Sequence, residues 1–168
     1  EDGIRDKLVT GVQTCALPIS KSAHERTRIH GPRKGSWMIG RSEFQNHNRL
    51  LSVLSPADYA LLEPHLKEIP LETGGVLQNL GDRIQYVYFP LSGMISLLSV
   101  MRDGKAVETG ALGRDGALGV SYGLGSPSAF TRAVVQIGGR AARISAAQFQ
   151  TGIKASERMR DLFFRYKE

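Results

Sequence analysis

The spacing of apolar residues along the chain changes character twice. Between Asn48 and Leu66 they recur at three- and four-residue intervals, the period of a helix that covers something with one face. Asn48-Arg-Leu-Leu-Ser-Val-Leu54 reads as a short helical turn. Ser55-Pro56-Ala57-Asp58 restarts a helix, with a capping serine, proline at the first helical position and an acid in the first turn. Tyr59, Leu62 and Leu66 then share one face. From Glu68 to Ser145 the helical period gives way to short β-type runs separated by glycine turns. The predicted strands are Glu68–Leu71, Val76–Gln78, Tyr86–Phe89, Met94–Val100, Ala106–Gly110, Val134–Ile137 and Arg140–Ser145. Turns are expected at Thr73-Gly74-Gly75, Gly81-Asp82 and Gly138-Gly139. Arg102-Asp103-Gly104-Lys105 is expected to form a hairpin, because a type I′ turn needs positive φ at both central residues.

After Ser145 the helical period returns. Ser145 is expected to cap a helix running through Phe149 and ended by Gly152. Ser156 caps a last pattern in which Met159, Leu162, Phe163 and Tyr166 form an apolar stripe, with Arg158, Arg160 and Lys167 outside it. That stripe reaches Glu168 without a glycine or proline stop signal, so the helix is expected to be cut short. The fold class is therefore mainly β with flanking helices, a jelly roll or double-stranded β-helix. Its core is expected from Leu51, Leu62, Val76, Val87, Phe89, Ile95, Leu97, Val107, Val135, Ile144 and Phe149.

The first residues follow none of these patterns. Glu1–Asp6 and Val9–Ile19 match the translation of a common sequencing adapter, with Lys7-Leu8 at its variable index. Residues 1–19 are expected to be foreign to the native protein. They lack the basic start and the long apolar run of a signal peptide. Residues 20–45 form a polar, basic leader, and Met38 is the expected true start. The roll is assigned to 46–155 and the start of a further helix to 156–168.

Composition narrows the chemistry. The net charge of +6 suggests nucleic acid, but its distribution does not. Residues 21–49 carry seven Lys/Arg against two Asp/Glu, whereas residues 50–168 carry thirteen against eleven. The predicted domain is thus nearly balanced. No run approaches the ~18 apolar residues of a membrane span, and a cytoplasmic protein is expected. Beyond the adapter-like start there is no cysteine, which excludes a disulfide framework and thiolate-ligated metal clusters. No histidine occurs after His65, so the paired histidines of a metal-dependent cupin are missing. No serine or threonine has an evident base partner, and no enzyme is expected.

Helices, roll, helix: this order resembles the sensor domain of the Crp/Fnr family of bacterial transcription regulators, in the cyclic-nucleotide-binding-domain superfamily. The segments that carry the resemblance are Val87–Gly93, Gly110–Gly119 and Arg132–Val135. It implies a ligand pocket between Gly113 and Arg132, where the family has a turn, a short helix and an arginine for a cyclic phosphate. Helix N-termini favour anions and arginine donates bidentately to phosphate. The implied ligand-binding residues are Leu118, Gly119, Val120, Thr131 and Arg132. Cyclic-AMP binders follow the glycine with a glutamate that accepts from the ribose; here Val120 stands there and cannot. Arg132 is the best match to the phosphate arginine, and it reads equally as a strand-edge arginine held by Asp115 or solvent. A cyclic nucleotide is thus the cofactor to test, with weak or no binding expected. The resemblance also implies a homodimer through the last helix, an unidentified small-molecule effector, no membrane partner, and DNA contact only through a helix-turn-helix absent from this chain. The rival reading is a stand-alone ligand-binding or interaction module.

Overall fold

Each helix start predicted from a polar residue carries that residue as its cap. The computed structural model describes residues 42–101 and 105–167, within a unit spanning Ile39–Glu168. The adapter-like start, the leader through residue 41 and the Arg102-Asp103-Gly104 part of the hairpin lie outside the described residues. Helices α1 (Glu43–His47), α2 (Arg49–Ser52) and α3 (Pro56–Leu62) come first. Their N–H groups are received by the side chains of Ser42, Asn48 and Ser55.

The strands follow as β1 (Lys67–Leu71), β2 (Val76–Gln78), β3 (Tyr86–Val100), β4 (Ala106–Leu112) and β5 (Arg132–Ser145). They form one antiparallel sheet in the order β1-β5-β3-β4, with β2 also paired to β5. Helices α4 (Ala146–Ala155) and α5 (Glu157–Lys167) close the chain over it.

Two pairs of predicted strands are single strands. Tyr86–Phe89 and Met94–Val100 merge into β3, which bends through register shifts between Pro90 and Ile95. Val134–Ile137 and Arg140–Ser145 merge into β5, and Gly138-Gly139 is not a turn. Those glycines serve contact instead of chain reversal. A Cβ on Gly139 would lie 2.4 Å from the Ser92 carbonyl oxygen, and one on Gly93 would lie 2.4 Å from that of Ile137. The bent strands cross so closely that only glycine fits. Gly152 likewise fails to end α4. It is buried inside the helix, where a Cβ would come within 2.7 Å of Leu62 Cδ2, so it lets α3 and α4 approach.

The bend also reverses the phase of β3. Val87, Phe89 and Leu91 face a core shared with the helices, together with Ala142 and Ile144 of β5. Ile95 and Leu97, of the same parity, lie instead with Leu71, Tyr88, Leu118, Ala133 and Val135 in a second core on the other side. Eight of the eleven predicted core residues are buried, and Leu97 is partly so. Val76 (44% exposed) and Val107 (47%) are not. The three-residue β2 and the border strand β4 pair on one side only, so these valines satisfy strand propensity without gaining cover.

Within the helical layer, Asp58 accepts from the Ser55 hydroxyl at 2.6 Å. Hydrogen bonding from Ser156 and from Ser55, with the charge of Arg158, holds its carboxyl below the ordinary 3.8. A depressed carboxylate contributes stability that is complete above its unfolded pKa and disappears as pH falls through the lower folded value. Asp58→Asn is expected to flatten the acid limb of stability below pH 3.8 while changing the alkaline limb little, as measured by urea unfolding across pH. Gly93→Ala is expected to cost about 1–3 kcal/mol through overpacking, on top of strain at φ +80°. Gly81→Ala has similar φ but nothing within 4 Å, and should cost only the left-handed penalty of about 1–2 kcal/mol. Equal losses in the two variants would contradict the close-crossing account.

Candidate functional site

Leu118-Gly119-Val120 is pinned to β3 by its backbone. Tyr88 N–H donates to Leu118 O at 3.0 Å, and Leu118 N–H donates to Tyr88 O at 2.9 Å. Gly119 then turns at φ +86°, and a Cβ there would strike Tyr86 O at 2.6 Å. That turn starts a single 3-10 turn, Val120–Tyr122, without a side-chain cap. The three residues look in different directions. Leu118 joins the inner core with Tyr88 and Val135, whereas Val120 joins the helix-side core.

A cavity of about 270 Å³ opens beside this segment. Leu118, Gly119, Val120 and Thr131 all line it, so the structure brings four of the five predicted residues together. Arg132 is not among the lining residues. Thr131, just before β5, lines the cavity and Ala133 sits in the inner core, while strand alternation sets Arg132 on the face opposite Ala133, beside Leu98. Its Nε is buried without a hydrogen-bond partner. The neighbouring acids do not converge either: Glu108 accepts from Ser96 Oγ at 2.9 Å, and Asp115 sits in the exposed turn before Gly116.

The remaining lining was not predicted. Gln78, Leu97, Leu112 and Tyr166 complete the walls, and Phe130, 66% exposed, stands at the edge. None of the lining residues carries a formal charge. Gln78 Nε2 donates to Thr131 O at 3.2 Å, which ties β2 to the start of β5. The volume falls just below the ~300–1,000 Å³ usual for small-molecule sites. A neighbouring cavity of about 460 Å³, sharing Gln78 and Ile84, is lined in part by Asp82, Arg83, Tyr86 and Tyr88.

Tyr166 is the unforeseen member. Its hydroxyl accepts from Ala117 N–H at 2.9 Å and donates to Ala117 O at 3.3 Å, so the last turn of α5 grips the backbone beside Leu118. Burial, with Asp115 nearby, raises its pKa against the opposing effect of the Ala117 bond. The sequence placed Tyr166 on the apolar stripe. Only the packing of α5 against the β4–β5 connection reveals its polar role.

No protein-family profile matches the chain, and no curated protein matches it by sequence. Solved structures match its shape. The N-terminal domain of a transcriptional regulator from Streptomyces coelicolor A3(2) aligns at TM-score 0.57 and 17% identity, over 73% of this chain and 86% of that one. The sensor domain of the transcriptional regulator DNR from Pseudomonas aeruginosa gives 0.60 and 15%, over 73% and 82%. A cyclic nucleotide-binding-like protein from Brucella abortus gives 0.53 and 22%, over 66% and 95%. The chain has the cyclic-nucleotide-binding-like fold. It is the jelly-roll architecture expected from the strand pattern, and among the described residues no helix is long and apolar enough to cross a membrane.

Tyr166→Phe leaves both Ala117 groups without their partner and is expected to cost about 1–3 kcal/mol in denaturant unfolding. Amide exchange at Ala117 should rise with it. A raised tyrosine pKa contributes stability that is complete below the ordinary 10.0 and lost as pH rises through the folded value. The variant should therefore lose less stability than the native chain above pH 10.0.

Proposed function

We propose that this domain senses a small, uncharged or weakly polar effector in the cavity between Leu118 and Thr131, for a Crp/Fnr-like transcription regulator. The observation that carries the reading is the cavity's position. It is walled at once by the connection after β4, by Ala129–Thr131 just before β5 and by Tyr166 of the last helix. A ligand there touches the Ala117–Val120 segment, which Tyr166 holds. Occupancy is thereby coupled to how α5 sits on the roll, and the ligand shifts that balance by its differential affinity for the two arrangements. In this reading α5 continues toward a dimer interface, and a helix-turn-helix outside these residues contacts DNA. Support comes from the fold shared with regulator sensor domains and from the absence of any catalytic constellation in the cavity walls.

The lining also argues against a cyclic nucleotide. A cyclic phosphate would need a cation, and Thr131 occupies the wall where Arg132 would have to reach. Val120 offers no acceptor to a ribose. Missing one charged hydrogen bond costs ~1.5–3 kcal/mol, roughly ten- to a hundred-fold in affinity. Titration calorimetry of the chain with cyclic AMP is expected to give no tight, saturable heat. A neutral fragment library followed by amide NMR should instead produce shifts clustered at Leu118–Val120, Thr131 and Tyr166. Stoichiometric, tight cyclic-AMP binding, or fragment shifts confined to other surfaces, would remove this reading.

A further inference from the structure

We infer that a second site, for a phosphate group, lies outside the roll between the first helices and the turn that follows β4. A pocket of about 190 Å³ there is lined by His47, Asn48, Arg49, Ser52 and Arg114, among others, and by no acidic residue. The two arginines come from segments far apart in sequence, and the fold brings their backbones into contact: Arg49 N–H donates to Arg114 O at 2.7 Å. The Gln45, Asn48 and Ser52 side chains of the pocket are already engaged. Asn48 Nδ2 donates to Pro90 O and to Gly116 O, both at 3.0 Å, and its Oδ1 accepts from Leu51 N–H. Gln45 Nε2 donates to Leu51 O, and Ser52 Oγ to Arg49 O.

The guanidiniums are left over, beside the His47 ring. Among the described residues neither Arg49 nor Arg114 makes a side-chain hydrogen bond or an ion pair. Glu43, at the start of α1, faces Arg140 at 3.8 Å, and Asp115, next to Arg114 in sequence, is exposed. Two arginines without an ion pair lining one small pocket supply the planar, forked donors that phosphate recognition uses. Asn48, 1% exposed, makes the floor rigid, because it ties the pocket to Gly116 and to β3 at once. The site is separate from the effector cavity, whose walls contain no charge, and the two share no lining residue.

The test is calorimetry of the full chain with inorganic phosphate and with glycerol phosphate, against chloride at matched ionic strength. Saturable binding of phosphate over chloride is expected, and the tighter of the two phosphates identifies a free or an esterified source. Arg49→Gln and Arg114→Gln should each weaken it about ten- to a hundred-fold, with the fold retained because both side chains are exposed. Arg160→Gln, which removes an α5 arginine paired with Glu157, should leave affinity unchanged. Equal responses to phosphate and chloride, or variants that bind like the native chain, would show two solvated arginines and no site.

Discussion

Three phenylalanines from three elements meet at the centre of this domain, and most of its architecture depends on their contact. Phe89 of β3, Phe149 of α4 and Phe163 of α5 are fully buried. Their ring centroids lie 5.0–6.2 Å apart in tilted and edge-on arrangements. Such pairs contribute about 0.5–1.5 kcal/mol each beyond the area they bury. Without them α4 has no aromatic anchor and α5 keeps only Tyr166. Phe149 also limits the candidate site, since a Cβ on Gly123 would meet its ring at 2.8 Å. The 3-10 turn after Gly119 can therefore settle onto α4 only because residue 123 lacks a side chain.

The second constraint is the close crossing of β3 and β5. Gly93 and Gly139 let the two backbones approach where the strands bend, Gly138 leaves room for Thr73 and Leu71, and the bend divides the apolar residues of β3 between two cores. One core holds the helices. The other backs the uncharged cavity and presents Leu97 and Leu118 to it. Cavity wall and helical layer are thus opposite faces of the same strands. Tyr166 joins them again at their far edge.

Electrostatics separate the two pockets. The cavity inside the roll is lined by neutral groups, and burial there makes an unpaired charge costly. Among the described residues Arg140 and Arg160 pair with acids, Arg140 with Glu68 at 2.9 Å. Arg49 and Arg114 make no ion pair among the described residues and share one pocket that no acid lines, which gives that pocket its chemical character.

Local features of the chain were readable without coordinates wherever a single residue type settles a local conformation. Ser55, Ser145 and Ser156 each receive an N–H group at the start of a helix, and the caps fall where polar residues precede an apolar period. The burial of Tyr59, Leu62, Phe149, Met159 and Phe163 follows from helical spacing alone, because a 3.6-residue period leaves one face to cover. What needed the tertiary structure was every feature that depends on a partner distant in sequence. A glycine pair looks the same in a turn as in a strand crossing, and only the Ser92 carbonyl against Gly139 tells them apart. Val76 and Val107 have the propensity of core strands, yet their strands lie where no second layer covers them. Thr131 and Arg132 are adjacent in sequence, and the strand's two-residue period decided which of them lines the cavity. Tyr166 carried an apolar signal until the fold set its hydroxyl against Ala117. Periodicity records which face is covered, but not what covers it.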